Sequence, residues 1–170
     1  AGFWTPPRWD LIREAQRQAA HDFKAHWLVS ALDCVFDDCI HNSAHANIQL
    51  GRRVADLALG RVYGFDIACL CPDAREATRA ADGLSIAILF DNVAGDLQFE
   101  PRDPAYFPFL VTDAKGTVPV KEVKAGPSAV IVLKLDRALE GAATVVGAPG
   151  TNPPIVVPQD VPGYRPMLAF

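Results

Sequence analysis

Serine and methionine are both scarce in this chain: 170 residues hold four serines (Ser30, Ser43, Ser85 and Ser128) and one methionine, Met167. Residue 1 is alanine, and without an initiator methionine the chain is expected to be a processed or cropped part of something longer. A basic surplus is also missing. The net charge is -4 and the pI about 5.5, which disfavours nucleic acid as a partner. No run approaches the roughly 20 apolar residues of a membrane span, and no charged-then-apolar leader opens the chain. Neither a membrane span nor a signal peptide is therefore expected. The four cysteines (Cys34, Cys39, Cys69, Cys71) form no paired CxxC set, so a structural zinc knuckle is disfavoured. They are too few for a disulfide scaffold in a chain that can build a core. One or two bridges in an oxidising compartment, or four buried free thiols, both stay open.

What the chain does have is apolar mass. Half the residues are hydrophobic and 21% are charged, the balance of a packed globular protein. The types are unevenly spread. All four histidines and all three tryptophans lie within the first 45 residues, and eleven of the fourteen prolines follow residue 100. That shift divides the chain into residues 1–66, a β-rich region at 67–148, and a proline-rich extended arm at 149–170.

The first region reads helix, strand, loop, helix. Thr5 can cap a helix with Pro6 and Pro7 in its first turn, where a missing N–H is harmless. Trp9, Ile12, Ala15, Ala19 and Phe23 then recur at helical spacing, which predicts that Arg8, Arg13, Glu14 and Arg17 face water. The apolar run Trp27–Asp33 reads as a buried strand. A second helix is predicted from about Ser43 to Tyr63. Projected at about 100° per residue, its apolar arc runs through Ile48, Leu50, Gly51, Val54, Ala55, Leu57, Ala58, Leu59 and Val62. Gln49, Arg52, Arg53, Asp56 and Gly60 fill the opposite, wet arc. Such a helix packs on a sheet, so an α/β layer is expected. The second region reads as strands: 84–90, 107–112, 117–123, 129–135, and short edges at 143–146 and 155–157. Asp113-Ala114-Lys115-Gly116 makes a hairpin turn between two of them.

The strongest chemical constellation is Asp38-Cys39-Ile40-His41, in the loop between the predicted strand and helix. An aspartate three residues before a histidine can accept a hydrogen bond from Nδ1. That fixes the tautomer and leaves Nε2 free as a base. The plain alternative is a capping aspartate beside a half-buried histidine.

Trp9–Gln16 (WDLIREAQ), Ile40-His41, Gly51-Arg52-Arg53-Val54-Ala55 and Tyr63-Gly64 resemble the end of the catalytic domain of sialate O-acetylesterase-type enzymes, within the SGNH hydrolase superfamily. Ile88-Leu89-Phe90-Asp91-Asn92-Val93 is similar to the β-rich segment that follows there. The resemblance implies an α/β fold, the C-terminal part of a flavodoxin-like SGNH layer followed by a β-sandwich-like domain. It also implies a Ser-His-Asp esterase acting on acetylated carbohydrate, with no cofactor or metal. His41 matches the catalytic histidine and Asp38 its supporting acid, with Asp37 in reserve. Where the family has proline after the histidine this chain has Asn42, a good helix cap.

The family's nucleophile stands in a Gly-x-Ser turn after the first strand of the catalytic domain, and no serine here matches it. Ser30 and Ser85 fall in strand patterns, Ser43 in a helix's first turn, and Gly126-Pro127-Ser128 leads into a strand of the β region. The implied partner is thus an N-terminal chain or subunit that carries the serine, in a periplasmic or secreted setting. Rival readings stay open. His41 and His45, with Asp37, Asp38 and Cys39, could ligate zinc. Cys39 could be a nucleophile. Tyr106, Phe107 and Phe109 could form a sugar-stacking platform on a non-catalytic structural or carbohydrate-binding subunit. Arg52 and Arg53 read as a solvated face.

Overall fold

Ser85–Asp91 alternates strictly, and Ile86, Ile88 and Phe90 all point to one side. Val130–Leu135 does the same with Ile131, Leu133 and Leu135. A period of two makes each a strand with one buried face. Antiparallel register sets Ile88 opposite Ile131 and Ile86 opposite Leu133. Burying Ile88 and Ile131 completely contributes roughly 2 kcal/mol each. These pairs seed a core that takes in Leu97, Phe99, Phe107, Phe109, Val111, Val118 and Met167.

The structure is a computed structural model that describes residues 8–38, 40–126, 128–161 and 163–170. Helices α1 (Trp9–Asp22) and α2 (Ala44–Arg61) come first. The strands follow: β1 (Asp73–Arg79), β2 (Ser85–Asp91), β3 (Asp96–Gln98), β4 (Phe109–Asp113), β5 (Gly116–Val118), β6 (Val120–Ala125), β7 (Val130–Leu135), β8 (Thr144–Gly147), β9 (Gln159–Val161) and β10 (Arg165–Pro166). They form three antiparallel sheets, ordered β1-β2-β7-β6, β10-β9-β3 and β5-β4-β8. Among the described residues no helix is long and apolar enough to cross a membrane.

The α/β fold class implied above, with its flavodoxin-like layer, is overturned by this architecture, in which every strand pair is antiparallel. The run Trp27–Asp33 forms no strand. Of this run Leu32 packs against the core of the β region, and a short apolar run does not distinguish such a segment from a buried strand. Ser30 is held there by its hydroxyl, which donates to the Met167 carbonyl at 2.8 Å. In the second region the predicted strand 117–123 is two strands broken at Pro119, which has no N–H to give. Residues 155–157 form no strand, whereas β1, β3, β9 and β10 lacked an apolar alternation to reveal them. Thr5, Pro6 and Pro7 lie outside the described residues. Arg8 stands at the N-cap of α1, with no side-chain cap bond. Ser43, not Asn42, caps α2, its hydroxyl accepting from the Ala46 N–H at 3.1 Å.

Each helix turns particular arginines inward, while Arg52 and Asp56 of α2 are exposed as expected. On α1, Arg13 donates to the carbonyls of Ala148 and Gly150 at 2.8 and 2.5 Å, and Arg17 pairs with Asp73 at 3.0 Å. On α2, the expected solvated position Arg53 is buried. It forms a two-pronged pair with Asp33 at 2.7 and 2.6 Å and also donates to the carbonyls of Ser30 and Tyr164. Gly60, one turn pair further along the same face, allows the helix to approach Cys69, whose Sγ would lie 2.5 Å from an added Cβ. The expected burial of Trp9, Ile12, Phe23, Ile48, Val54 and Val62 is reversed, because each is at least half exposed.

A second buried pair closes the other end. Asp160, fully buried, accepts from Arg165 and from the backbone N–H groups of Ala94 and Gly95. Arg165 also donates to the Ala68 carbonyl at 2.9 Å. The last residues are tied in as well: Gly147 and Phe170 exchange backbone hydrogen bonds, and the Phe170 ring fills the space a side chain on Gly147 would need.

Two outcomes follow. Arg53→Ala leaves the Asp33 carboxylate poorly hydrated and unpaired, a loss of about 3–5 kcal/mol, whereas Arg75→Ala, which opens the exposed pair with Asp91, costs less than about 1 kcal/mol. Urea unfolding midpoints measure both. Asp113 is held well below the usual carboxylate range, first by the Arg137 guanidinium and then by the backbone N–H groups of Glu140 and Lys115. A carboxylate with a lowered folded value stabilises above its unfolded value and loses that contribution as pH falls through the folded one. The midpoint gap between wild type and Asp113→Asn is therefore full at pH 7 and shrinks once the pH drops below about 4.

Candidate functional site

Residues 34–38 and 40–43 fold back on each other as a small hairpin that delivers the chain into α2. The Ser43 N–H donates to the Val35 carbonyl at 2.9 Å, Phe36 and Asn42 form an antiparallel bridge, and the Asp37 N–H donates to the His41 carbonyl at 2.9 Å. Its neck is anchored on one side by Asp33 through Arg53 and on the other by the capped start of α2.

At the tip, one oxygen of Asp38 accepts from the N–H groups of Ile40 and His41 at 2.8 and 2.7 Å. The other lies 2.6 Å from His41 Nδ1. Aspartate makes this turn readily because its short side chain reaches the backbone two and three residues on. The His41 ring and those two N–H groups hold the Asp38 carboxyl below its ordinary range. An ionised carboxylate only accepts hydrogen bonds, so Nδ1 is the donor. In the neutral ring Nε2 then carries the lone pair. The imidazole is 72% exposed, so Nε2 is open to a reactant. The arrangement is chemically that of an oriented general base.

Asp38 and His41 are brought together as the spacing predicts. Asp37 gives its backbone to the hairpin, and the contact with the ring comes from Asp38. The serines do not join them. Ser30 is buried on Met167, Ser43 caps α2, Ser85 lies in β2, and Ser128 sits at positive φ in the turn before β7. Among the described residues no hydrogen bond links His41 to a serine hydroxyl.

The rival sites fare differently. Cys39 lies outside the described residues. Cys34, Cys69 and Cys71 are free and buried, and burial pushes the thiols of Cys34 and Cys71 up, away from reactive thiolate. Among the described residues no group of three His, Cys, Asp or Glu side chains is placed to hold a metal ion. Phe107 and Phe109 stack against Phe99 inside the core, which leaves only Tyr106 of the aromatic trio at the surface. Arg53 and Asp33 are the residues that sequence reasoning missed. A lone arginine on a polar arc carries no signal of burial, and its partner is twenty positions away. A cleft of about 360 Å³ lies between residues 60–70 and Asn92–Ala94, away from the His41 hairpin.

No protein-family profile matches the chain, and no curated protein matches it significantly in sequence. Among solved structures, a carbohydrate acetylesterase from Xanthomonas citri aligns with a TM-score of 0.77 at 20% identity, over 95% of this chain and 35% of that one. Two structures of the bacterial S-layer protein SbsC align at TM-scores of 0.42 and 0.44, with 16% and 17% identity. They cover 75% and 74% of this chain and 27% and 16% of their own. The fold of this chain is therefore similar to about a third of a carbohydrate acetylesterase.

Proposed function

We propose that this chain is the part of a serine carbohydrate O-acetylesterase, of the sialate O-acetylesterase type, that supplies the general base and its orienting acid. The observation that carries the reading is the 2.6 Å contact between His41 Nδ1 and Asp38, held in a pinned hairpin with Nε2 exposed. The likeness of the fold to an acetylesterase supports the substrate class, an acetyl ester on a sugar. The serine comes from polypeptide outside these 170 residues.

In this reading Nε2 takes the proton of the serine hydroxyl as its oxygen attacks the acetyl carbonyl carbon. Asp38 stabilises the imidazolium that forms. Collapse of the tetrahedral intermediate breaks the ester bond, and Nε2 returns the proton to the departing sugar oxygen. Water then repeats the sequence on the acyl-serine and releases acetate. The hairpin fixes the ring before substrate arrives, so little reorganisation is needed at the transition state. A second polypeptide also has to supply the substrate's walls, because the dyad lies on an open surface.

The test is hydrolysis of p-nitrophenyl acetate by the protein purified from its native source with everything bound to it, against the isolated 170-residue chain. The isolated chain stays at the background rate. In the native preparation His41→Ala lowers kcat at least about a thousandfold, and Asp38→Asn lowers it severely with KM little changed. An unchanged rate in His41→Ala, or full activity of the isolated chain, overturns the reading.

A further inference from the structure

We infer that the groove past Trp27 is a binding site for a neutral oligosaccharide, with one sugar ring in each of the two hollows that Trp27 and His26 line in common. The site goes beyond the esterase reading and does not depend on it, because neither hollow is lined by a residue of the His41 hairpin.

The hollows have volumes of about 180 and 170 Å³. One extends to Asp73 and Asn92 at the edge of the β body, and the other lies along α1 at Gln16. The chain builds the groove by doubling back after α1. Ala25 takes a φ of 59° in that turn, a conformation that sterics disfavour for a residue with a Cβ. The turn brings His26 and Trp27 beside Ala20 of α1. Asn92, across the first hollow, has a φ of 61°. Non-glycine residues in this region cluster at ligand sites. Trp27 stays 36% exposed, although Ser30 just after it is buried. An indole left open in a concave surface offers a flat apolar face and an N–H donor at its edge.

The polar groups choose the ligand. Both oxygens of Asp73 are in use, one by Arg17 at 3.0 Å and the other by His21 Nε2 at 2.6 Å. A carboxylate accepts, so Nε2 is the donor, and in the neutral ring His21 Nδ1 keeps its lone pair. His26 Nδ1 lies 3.2 Å from the Lys24 carbonyl, which makes it the donor and leaves Nε2 as an acceptor. Asn92 donates through Nδ2 to the Cys71 carbonyl at 3.4 Å and keeps Oδ1 for another donor. The groove therefore sets acceptors of fixed tautomer around an aromatic face. That matches a pyranose ring, which has a face of C–H groups and a rim of hydroxyl donors. No lysine or arginine lines either hollow, and Arg17 is spent on Glu14 and Asp73, so an anion finds no counter-charge. Among the described residues no three His, Cys, Asp or Glu side chains are placed to hold a metal ion. An apolar occupant would leave the acceptors buried and unpaired.

The experiment titrates the isotope-labelled 170-residue chain with cellohexaose, xylohexaose and mannohexaose. Hexagalacturonate and hexa-alanine serve as the acidic and peptide comparisons. The Trp27 indole N–H and the His21 and His26 ring signals are followed by nuclear magnetic resonance, and affinity by calorimetry. At least one neutral hexasaccharide is expected to shift all three signals and to bind with a dissociation constant of about 1 mM or tighter. Trp27→Ala weakens that binding at least about tenfold, Trp27→Phe, which keeps an aromatic face, weakens it about threefold or less, and Tyr106→Ala leaves it unchanged. If Trp27→Ala does not fold, the wild-type signals and Trp27→Phe decide. The inference is overturned if no neutral hexasaccharide moves the Trp27 signal at about 10 mM, or if hexagalacturonate or hexa-alanine binds more tightly. Unchanged affinity in folded Trp27→Ala, a Trp27→Phe variant that loses all binding, or an equal loss in Tyr106→Ala also overturns it. Ester hydrolysis is not read at any point, so the result is independent of the role of His41.

Discussion

The ion pair between Arg53 and Asp33 decides which way the amino-terminal third of the molecule faces. A guanidinium with four of its hydrogen bonds made to a carboxylate and two carbonyls, and with its side chain 9% exposed, cannot be moved to the surface without orphaning its partners. The pair joins the inner face of α2 to the segment just before the His41 hairpin, and the Tyr164 carbonyl adds the carboxyl-terminal strands to the same knot. It therefore does two things at once. It clamps the neck of the hairpin, and it turns the apolar stripe of α2 away from the β body.

Those two effects meet at the proposed site. The hairpin tip is small and held by backbone bonds, so the Asp38–His41 geometry does not depend on a surrounding pocket. On the hairpin itself Phe36 and Ile40 are exposed apolar side chains. In the proposed reading the exposed His41 ring, oriented by Asp38, is half of a catalytic arrangement. The proposed esterase reading takes the other half, the serine, from polypeptide outside these 170 residues.

The Asp38–His41 contact was legible in the sequence, and less of the fold. An aspartate three residues before a histidine in a polar loop is a local pattern, and local hydrogen bonding completes it. Strands β2, β4 and β7 were legible for the same reason, since their alternation is written in adjacent residues. The layer type was not. Trp27–Asp33 has the composition of a buried strand, yet it finds no ladder partner, and strand pairing is a nonlocal property. The helix positions were found but their faces only in part: Arg52 and Asp56 are exposed as expected, whereas Arg53 is buried and Ile48 and Val54 are exposed, because amphipathicity tells which side is apolar and not what lies on each side. Three arginines that composition assigns to water are the anchors, and their partners (Asp33, Asp73 and the Ala148 and Gly150 carbonyls) are distant in sequence. β1, with Asp73-Ala74-Arg75-Glu76-Ala77-Thr78-Arg79, carries almost no apolar signal because it is an edge strand exposed over most of its length.

The central claim is that Asp38 fixes the protonation geometry of His41. Long-range proton–nitrogen correlation spectra of the folded chain at neutral pH test it most directly, with Asp38→Asn as reference. Neutral His41 is expected to be the Nδ1–H tautomer with an unprotonated Nε2, and this preference is expected to disappear in the reference. A dominant Nε2–H tautomer, or a tautomer ratio identical in the two proteins, would contradict it.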